Sequence, residues 1–76
     1  MDIVRTLGEN LRRCRVERGM SQEALAFAAE MKRSYLSDLE RGTRNPSVRA
    51  LGRLAAALDV EAAELVRLRI SEDDHC

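Results

Sequence analysis

Apolar residues recur at helical spacing along nearly the whole chain, and this periodicity is the strongest constraint on its fold. In the first segment they fall on one helical face, at Ile3, Leu7, Leu11 and Cys14. The same spacing recurs later, at Val48, Leu51, Leu54, Ala55 and Leu58. Residues that favour strands are sparse, because the chain has one Phe, one Tyr and no run of β-branched side chains. The pattern therefore predicts an all-α protein.

Capping and turn residues divide the first half of the chain into three predicted helices. Gly19 ends the first helix, and Ser21 is placed to cap the second. A turn at residues 31–32 leads into a third helix that stops at Gly42. The residues predicted to face the core from the second and third helices are Leu25, Ala26, Ala29, Leu36 and Leu39.

Two further helices are predicted in the second half. Pro46 disfavours helix in the residue before it, and Ser47 is placed to cap the fourth helix. Residues 61–70 form the predicted fifth helix, which would complete a compact five-helix domain over residues 1–70. The remaining residues, 71–76, are acidic and are expected to fray.

The chain has no formal net charge, yet its charges are unevenly distributed. Residues 1–49 are net basic and residues 50–76 are net acidic, which is compatible with one face of the protein meeting phosphate. No segment approaches the ~20 consecutive apolar residues that a membrane helix needs. No signal-peptide pattern opens the chain. We therefore expect a cytoplasmic protein without a membrane partner.

Few residues suit catalysis or metal binding. Cys14 and Cys76 lack the spacing of metal ligands. The only histidine, His75, has no nucleophile arranged around it, and Asp73 and Asp74 fit a solvated terminus. A Gly-rich phosphate loop is also missing from the sequence. We expect no enzymatic activity, no cofactor or metal, and no small-molecule ligand.

Residues 22–41 hold the pattern with the clearest functional meaning, because they predict two short helices joined by a tight turn. Such helices cross steeply only where a small side chain permits close approach, and Ala26 provides it. The second helix then presents an outer polar face, composed of Arg33, Ser34, Ser37, Asp38 and Arg41. This arrangement is typical of a helix-turn-helix that reads DNA.

The segment resembles the lambda-repressor/Cro-like (XRE-type) helix-turn-helix family. The resemblance rests on four blocks in family order: SQEALA at residues 21–26, RSYLS at 33–37, LERG at 39–42 and RNPS at 44–47. It extends over roughly residues 5–66. Within the family the chain is most similar to the short restriction–modification controller proteins, which are stand-alone five-helix dimers. The resemblance implies a homodimeric, sequence-specific transcriptional regulator acting on a pseudo-palindromic operator.

Five residues at the start of the recognition helix are expected to read bases, namely Lys32, Arg33, Ser34, Ser37 and Asp38. Arg33 can reach guanine O6 and N7 with two hydrogen bonds, although a solvated charge or a phosphate contact is the alternative. Asp38 can accept from cytosine N4. An exposed acid that only repels phosphate is the alternative there.

The family resemblance also implies contacts with the DNA backbone and one structural ion pair. The residues expected to contact phosphate are Gln22, Tyr35, Arg44, Asn45 and Ser47. For Ser47 a capping role is equally open, and one hydroxyl can serve both purposes. Arg15 and Glu40 match a family pair that joins the first helix to the third.

Glu30 is the main departure from the family pattern, which usually places Gly in the turn between the two helices. If Glu30 is left-handed, it should cost on the order of 1 kcal/mol relative to Gly. A longer second helix would avoid that cost.

The fifth helix is expected to pair two copies of the chain through Leu65, Val66 and Ile70, because it carries more apolar residues than one core face requires. Closure of the monomer core is the alternative, and it fits Leu65 best. RNA polymerase is a further candidate partner. The rival functions are an antitoxin or a protein-interaction module on the same scaffold. Arg33, Gln22, Tyr35 and Arg44 argue against a pure interaction module, because it would not need phosphate and base donors on one face.

Overall fold

The computed structural model describes residues 2–68, and within them the chain forms helices and no strand. The helices are α1 (Ile3–Glu17), α2 (Gln22–Ala28), α3 (Arg33–Arg41), α4 (Val48–Leu58) and α5 (Ala62–Leu65). The all-α, five-helix prediction is confirmed. None of the helices in residues 2–68 is long and apolar enough to cross a membrane.

Side-chain caps fix where three of the helices begin. The Asp2 carboxylate accepts from the amides of the first turn of α1. The Ser21 and Ser47 hydroxyls accept from the amides of Ala24 and Ala50, each at 3.0 Å. Each cap satisfies an amide that would otherwise lack a partner at a helix start. The caps predicted at Ser21 and Ser47 are confirmed.

The core consists mainly of leucines contributed by all five helices. Those that are almost completely buried are Leu11, Leu25, Leu36, Leu39, Leu54, Leu58 and Leu65. Two of the apolar residues that recur at helical spacing lie outside this core. Ile3 is 50% exposed and Val48 is 85% exposed. Each is the first residue of its helix, so the apolar stripe starts before the helix reaches its packing partners.

Helices α1 and α3 pack unusually closely at Gly8. A Cβ atom added there would lie 2.5 Å from the carbonyl oxygen of Leu39 and 2.8 Å from that of Glu40. Because both atoms belong to the backbone of α3, neither can move aside as a side chain could. Gly8 therefore sets the separation between α1 and the helix that carries the predicted DNA-reading residues.

The fifth helix is shorter than the sequence predicts. It ends at Leu65, and residues 67–68 are not helical, so the prediction of a helix over 61–70 is wrong for its described second half. The buried Asn10 side chain binds the backbone where the helix ends, since its Nδ2 donates to the carbonyl oxygens of Leu65 (3.1 Å) and Arg67 (2.8 Å). This contact holds the non-helical segment after α5 against α1. Residues 69–70 and the predicted tail, 71–76, lie outside the described residues.

Glu30 adopts the left-handed conformation, with φ at 59°. Helix α2 ends before it, with Ala29 as the C-cap, so the longer second helix that would have avoided the cost does not form. The turn from α2 to α3 thus uses a backbone conformation that glycine adopts more readily than glutamate.

We expect Glu30→Gly to raise the free energy of unfolding by about 1 kcal/mol, because it removes the left-handed strain of a side chain. Urea denaturation monitored by circular dichroism measures the change. Glu23→Gly is the matched control, since Glu23 is an exposed glutamate inside α2. It should lower stability by about 1 kcal/mol. Equal effects of the two substitutions would contradict the assignment of strain to Glu30.

Candidate nucleic-acid interface

The first turn of α3 is polar and exposed to solvent. Leu36 and Leu39 are buried in the core, which turns the opposite face of α3 outward. Lys32 is the N-cap, and it is exposed together with Arg33 and Ser34. Among residues 2–68, neither Lys32 nor Arg33 has an ion-pair partner. Their charged groups are therefore available to a ligand.

A shallow cleft of about 550 Å³ lies beside this turn, between α3, the following loop and α4. Its lining residues are Met31, Lys32, Ser34, Tyr35, Asp38, Arg44, Ser47, Ala50 and Arg53. The cleft brings together three predicted base-reading residues and three predicted phosphate-contacting residues from α3, the turn before it and the loop after it. Its rim carries three cationic side chains, Lys32, Arg44 and Arg53, and one anionic side chain, Asp38.

Contacts around Asp38 fix the arginines on one side of the cleft. The Asp38 carboxylate pairs with the Arg41 guanidinium through Oδ1, and its Oδ2 lies 3.8 Å from Arg44 Nε. The Arg44 guanidinium stacks over the Tyr35 ring, 5.4 Å from the ring centroid, at a distance that permits a cation–π interaction. Arg41 also donates to the Ser37 hydroxyl at 3.3 Å. Four of the predicted DNA-contacting residues therefore belong to one connected cluster.

Two other predicted phosphate contacts lie away from the cleft. Asn45 is exposed in the loop after α3 and lines a separate shallow depression with Asp2 and Val4. Gln22 is half-buried, and its Nε2 donates to Glu40 Oε1 at 3.0 Å. One of the two N–H donors of Gln22 Nε2 is thus engaged inside the protein, which leaves the second donor and the backbone amides at the start of α2 to contact a phosphate.

Arg15 and Glu40 form a partly buried, two-point ion pair between α1 and α3. Arg15 Nε lies 2.6 Å from Glu40 Oε2, and Nη2 lies 3.2 Å from Oε1. A third donor of the same guanidinium, Nη1, binds the Met20 carbonyl oxygen at 2.8 Å. The Glu40 side chain is only 3% exposed. The pair orients the recognition helix against α1, as the family resemblance implies.

Arg53 is a residue of the interface that the sequence did not indicate. It lines the cleft from α4, and its Nε donates to the carbonyl oxygen of Ala29 at 3.1 Å. Ala29 is the C-cap of α2, so Arg53 caps the helix end next to the strained Glu30 turn. No local pattern predicts this contact, because the two residues are brought together only by the packing of α2 against α4.

The predicted dimerisation residues have different environments. Leu65 is fully buried in the core of the protomer, so its assignment to a dimer interface is wrong, and the alternative of core closure is correct. Val66 is half-buried and packs against that core. Leu68 is 56% exposed. Ile70 lies outside the described residues.

A short helix pair, with the second helix start exposed beside a cationic cleft, defines a DNA-binding helix-turn-helix protein. Residues 11–65 match the model of the helix-turn-helix family HTH_3. The chain belongs to this family, whose members are DNA-binding transcriptional regulators, and the XRE-type resemblance is confirmed.

Relatives and solved structures agree with this assignment. The HTH-type transcriptional regulator y4dJ of Sinorhizobium fredii is 46% identical over 66 residues, which cover 87% of this chain and 86% of the relative. The crystal structure of the restriction–modification controller protein C.AhdI from Aeromonas hydrophila matches with a TM-score of 0.80 and 45% identity, over 82% of this chain and 94% of that one. The structure of the biofilm regulator SinR in complex with DNA matches with a TM-score of 0.77 and 37% identity, over 80% and 98% of the two chains.

Proposed function

We propose that this transcriptional regulator acts as a homodimer on a pseudo-palindromic operator, with the start of each α3 in the major groove. The observation that carries the proposal is the exposed first turn of α3, where Lys32, Arg33 and Ser34 adjoin the cationic cleft. A single short helix contacts too few bases for tight, specific binding, so two half-sites are needed. The solved complex of the relative SinR with DNA supports the choice of ligand.

Arg33 is the principal base reader in this proposal. It lies at the first position of α3, is exposed, and has no ion-pair partner among residues 2–68 that would have to be broken. Its planar guanidinium matches the two acceptors of guanine. Lys32, Ser34 and Ser37 flank it and supply shorter or more flexible contacts.

Residues around the cleft supply the backbone contacts. Arg44 stacks over the Tyr35 ring, and both Arg44 and Arg53 line the cleft. Ser47 uses a lone pair to cap α4, which leaves its hydroxyl proton free to donate to a phosphate. The two roles expected of Ser47 are therefore compatible. Asn45 would contact the backbone from the neighbouring depression, which it lines on the loop after α3.

The experiment that tests this function is a binding-site selection on random duplexes, followed by substitution of the two key arginines. Arg33→Ala should lose about 1–3 kcal/mol of discrimination at one base pair in each half-site. Arg44→Ala should weaken binding to all duplexes alike. It should also reduce the slope of log affinity against log salt by about one unit per protomer. Fluorescence anisotropy over a salt series measures both effects.

Either of two results would contradict these roles. Wild-type binding that does not change between low and moderate salt would exclude phosphate contacts. A uniform loss of affinity in both variants would show that Arg33 is not a base reader.

The gene targets are proposed to be restriction–modification genes, with the protein acting in the cytoplasm and meeting RNA polymerase at the promoter. The support is the near full-length match to C.AhdI and a relative named control protein C.BamHI, from Bacillus amyloliquefaciens, which is 42% identical over 60 residues. Mapping of occupied sites in the host genome tests this. Sites upstream of a restriction–modification operon are the expected result, and their absence there would favour a different target.

We expect Leu68→Asp to convert the dimer into a folded monomer, because a carboxylate would have to be buried in the proposed C-terminal interface. Leu68 is preferred to Val66 for this test because it does not pack against the protomer core. Sedimentation velocity at several concentrations measures the mass. Phe27→Asp is the matched control, since Phe27 is 86% exposed on α2. A dimer that survives Leu68→Asp but dissociates with Phe27→Asp would place the interface on α2.

A further inference from the structure

Of residues 2–68, Asp38 is the one acidic residue whose side chain lines the cleft. Both of its carboxylate oxygens are directed at arginines, because Oδ1 contacts Arg41 and Oδ2 faces Arg44. The two guanidinium groups are well exposed, with 64% and 57% of their side chains accessible. The carboxylate itself is only 29% exposed. The arrangement leaves the cations at the surface and the anion beneath them.

We infer that Asp38 acts as an internal substitute for a DNA phosphate. It occupies Arg41 and Arg44 in the free protein, and DNA binding replaces it as the partner of at least Arg44. This inference rests on the proposed DNA-binding function and assigns Asp38 a role in setting affinity for the DNA backbone. It also adds Arg41 to the residues that meet the backbone.

The geometry favours this role over base reading. To accept from cytosine N4, a carboxylate needs an outward lone pair and direct access to the groove. Asp38 points instead toward the α3 C-terminal half and the loop, where Arg41 and Arg44 lie. Arg44 is held over Tyr35, so a phosphate can approach its guanidinium from the solvent side without a large movement of the loop.

The exchange has a consequence for salt dependence. When Arg44 transfers to a phosphate, counterions leave the DNA, but the Asp38 carboxylate loses a guanidinium neighbour and attracts cations from solution more strongly. The net release is then smaller than the number of phosphate contacts implies. Removing the carboxylate should therefore increase the net release by up to about one ion per protomer.

Asp38→Asn tests the inference, because asparagine keeps the shape and one acceptor oxygen but removes the charge. In the dimer, the slope of log affinity against log salt should become steeper by up to about two units. Between 200 mM and 50 mM salt, the affinity of the variant for DNA should therefore rise by up to about tenfold more than that of the wild type. The increase should be the same for the selected operator and for an unrelated duplex.

Glu9→Gln is the matched control, since Glu9 pairs with Arg5 on the exposed side of α1, outside the cleft. It makes the same change in net charge and should leave the salt slope nearly unchanged. The Arg44→Ala background supplies a second control, because the effect of Asp38→Asn should be at most half as large there. Thermal unfolding of each variant checks that the fold is retained.

Three results would overturn the inference. A slope for Asp38→Asn equal to that of Glu9→Gln would show that the carboxylate acts only through net charge. Loss of preference at one base pair would make Asp38 a base reader. Weaker binding to all duplexes would mean that Asp38 holds Arg44 in the bound complex instead of competing for it. The proposed function itself is tested by a separate measurement on the wild type. If the wild type binds no selected duplex, DNA binding as such is refuted.

Discussion

Gly8→Ala is expected to lower the free energy of unfolding of this protein by about 3 kcal/mol. The new Cβ would lie 2.5 Å and 2.8 Å from two backbone oxygens of α3, well inside van der Waals contact. Relief requires α1 and α3 to separate, which loosens the leucine core between them. Overpacking of this kind costs about 1–3 kcal/mol and occasionally more, and contact with immobile backbone places Gly8 at the upper end. A fall in Tm of about 10 °C or more is expected for a domain this small.

Gly52→Ala is the matched control for that experiment. Gly52 also lies inside a helix, but a Cβ atom there would meet nothing within 4 Å. Alanine should therefore raise the free energy of unfolding by about 0.5–1 kcal/mol. Differential scanning calorimetry at matched concentration measures both variants. A Gly8→Ala protein as stable as the wild type would mean that α1 and α3 can separate freely.

Glu40→Ala should destabilise the protein by about 3 kcal/mol or more. The substitution leaves the Arg15 guanidinium, whose side chain is 12% exposed, without its anion. Breaking a buried pair by removal of one partner costs about 3–5 kcal/mol, since the remaining charge stays buried and uncompensated. The Gln22 amide loses its acceptor at the same time. Urea denaturation gives the free energy of unfolding.

Glu9→Ala provides the comparison for the second substitution. The Arg5–Glu9 pair is largely exposed, with 76% and 66% of the side chains accessible. Its loss should change stability by less than about 0.5 kcal/mol. Comparable losses from Glu40→Ala and Glu9→Ala would show that water reaches the Arg15–Glu40 pair.

Local chemistry was sufficient to predict where most helices begin and end. Ser21 and Ser47 cap helix starts, and Gly42 has the left-handed conformation that ends α3. These residues act on backbone groups within a few positions of themselves, so sequence alone reveals them. The prediction for the end of α5 was wrong, and the chain after this helix is bound by Asn10, a residue more than fifty positions away in sequence.

Most residues of the candidate site could be predicted from the sequence, but the contacts between them could not. Arg33 and Arg44 followed from the family pattern. The contact of Asp38 with Arg44 did not, since it depends on the path of the loop after α3. Arg53 was missed for the same kind of reason, because its partner is a carbonyl group of a distant helix. Tertiary contacts of this type leave no periodic signal in the sequence.

Gly8 and Asn10 lie two positions apart on α1, and through them this one helix contacts two different parts of the fold. Gly8 seats the reading helix α3, and Asn10 holds the chain after α5. In the proposed dimer, α1 would therefore link each reading helix to the segment proposed to form the interface, without a flexible linker between them. An added base pair between half-sites shifts them by about 3.4 Å and about a tenth of a turn. We expect such an insertion to weaken operator binding, because α1 gives the two reading helices little freedom to follow the shift.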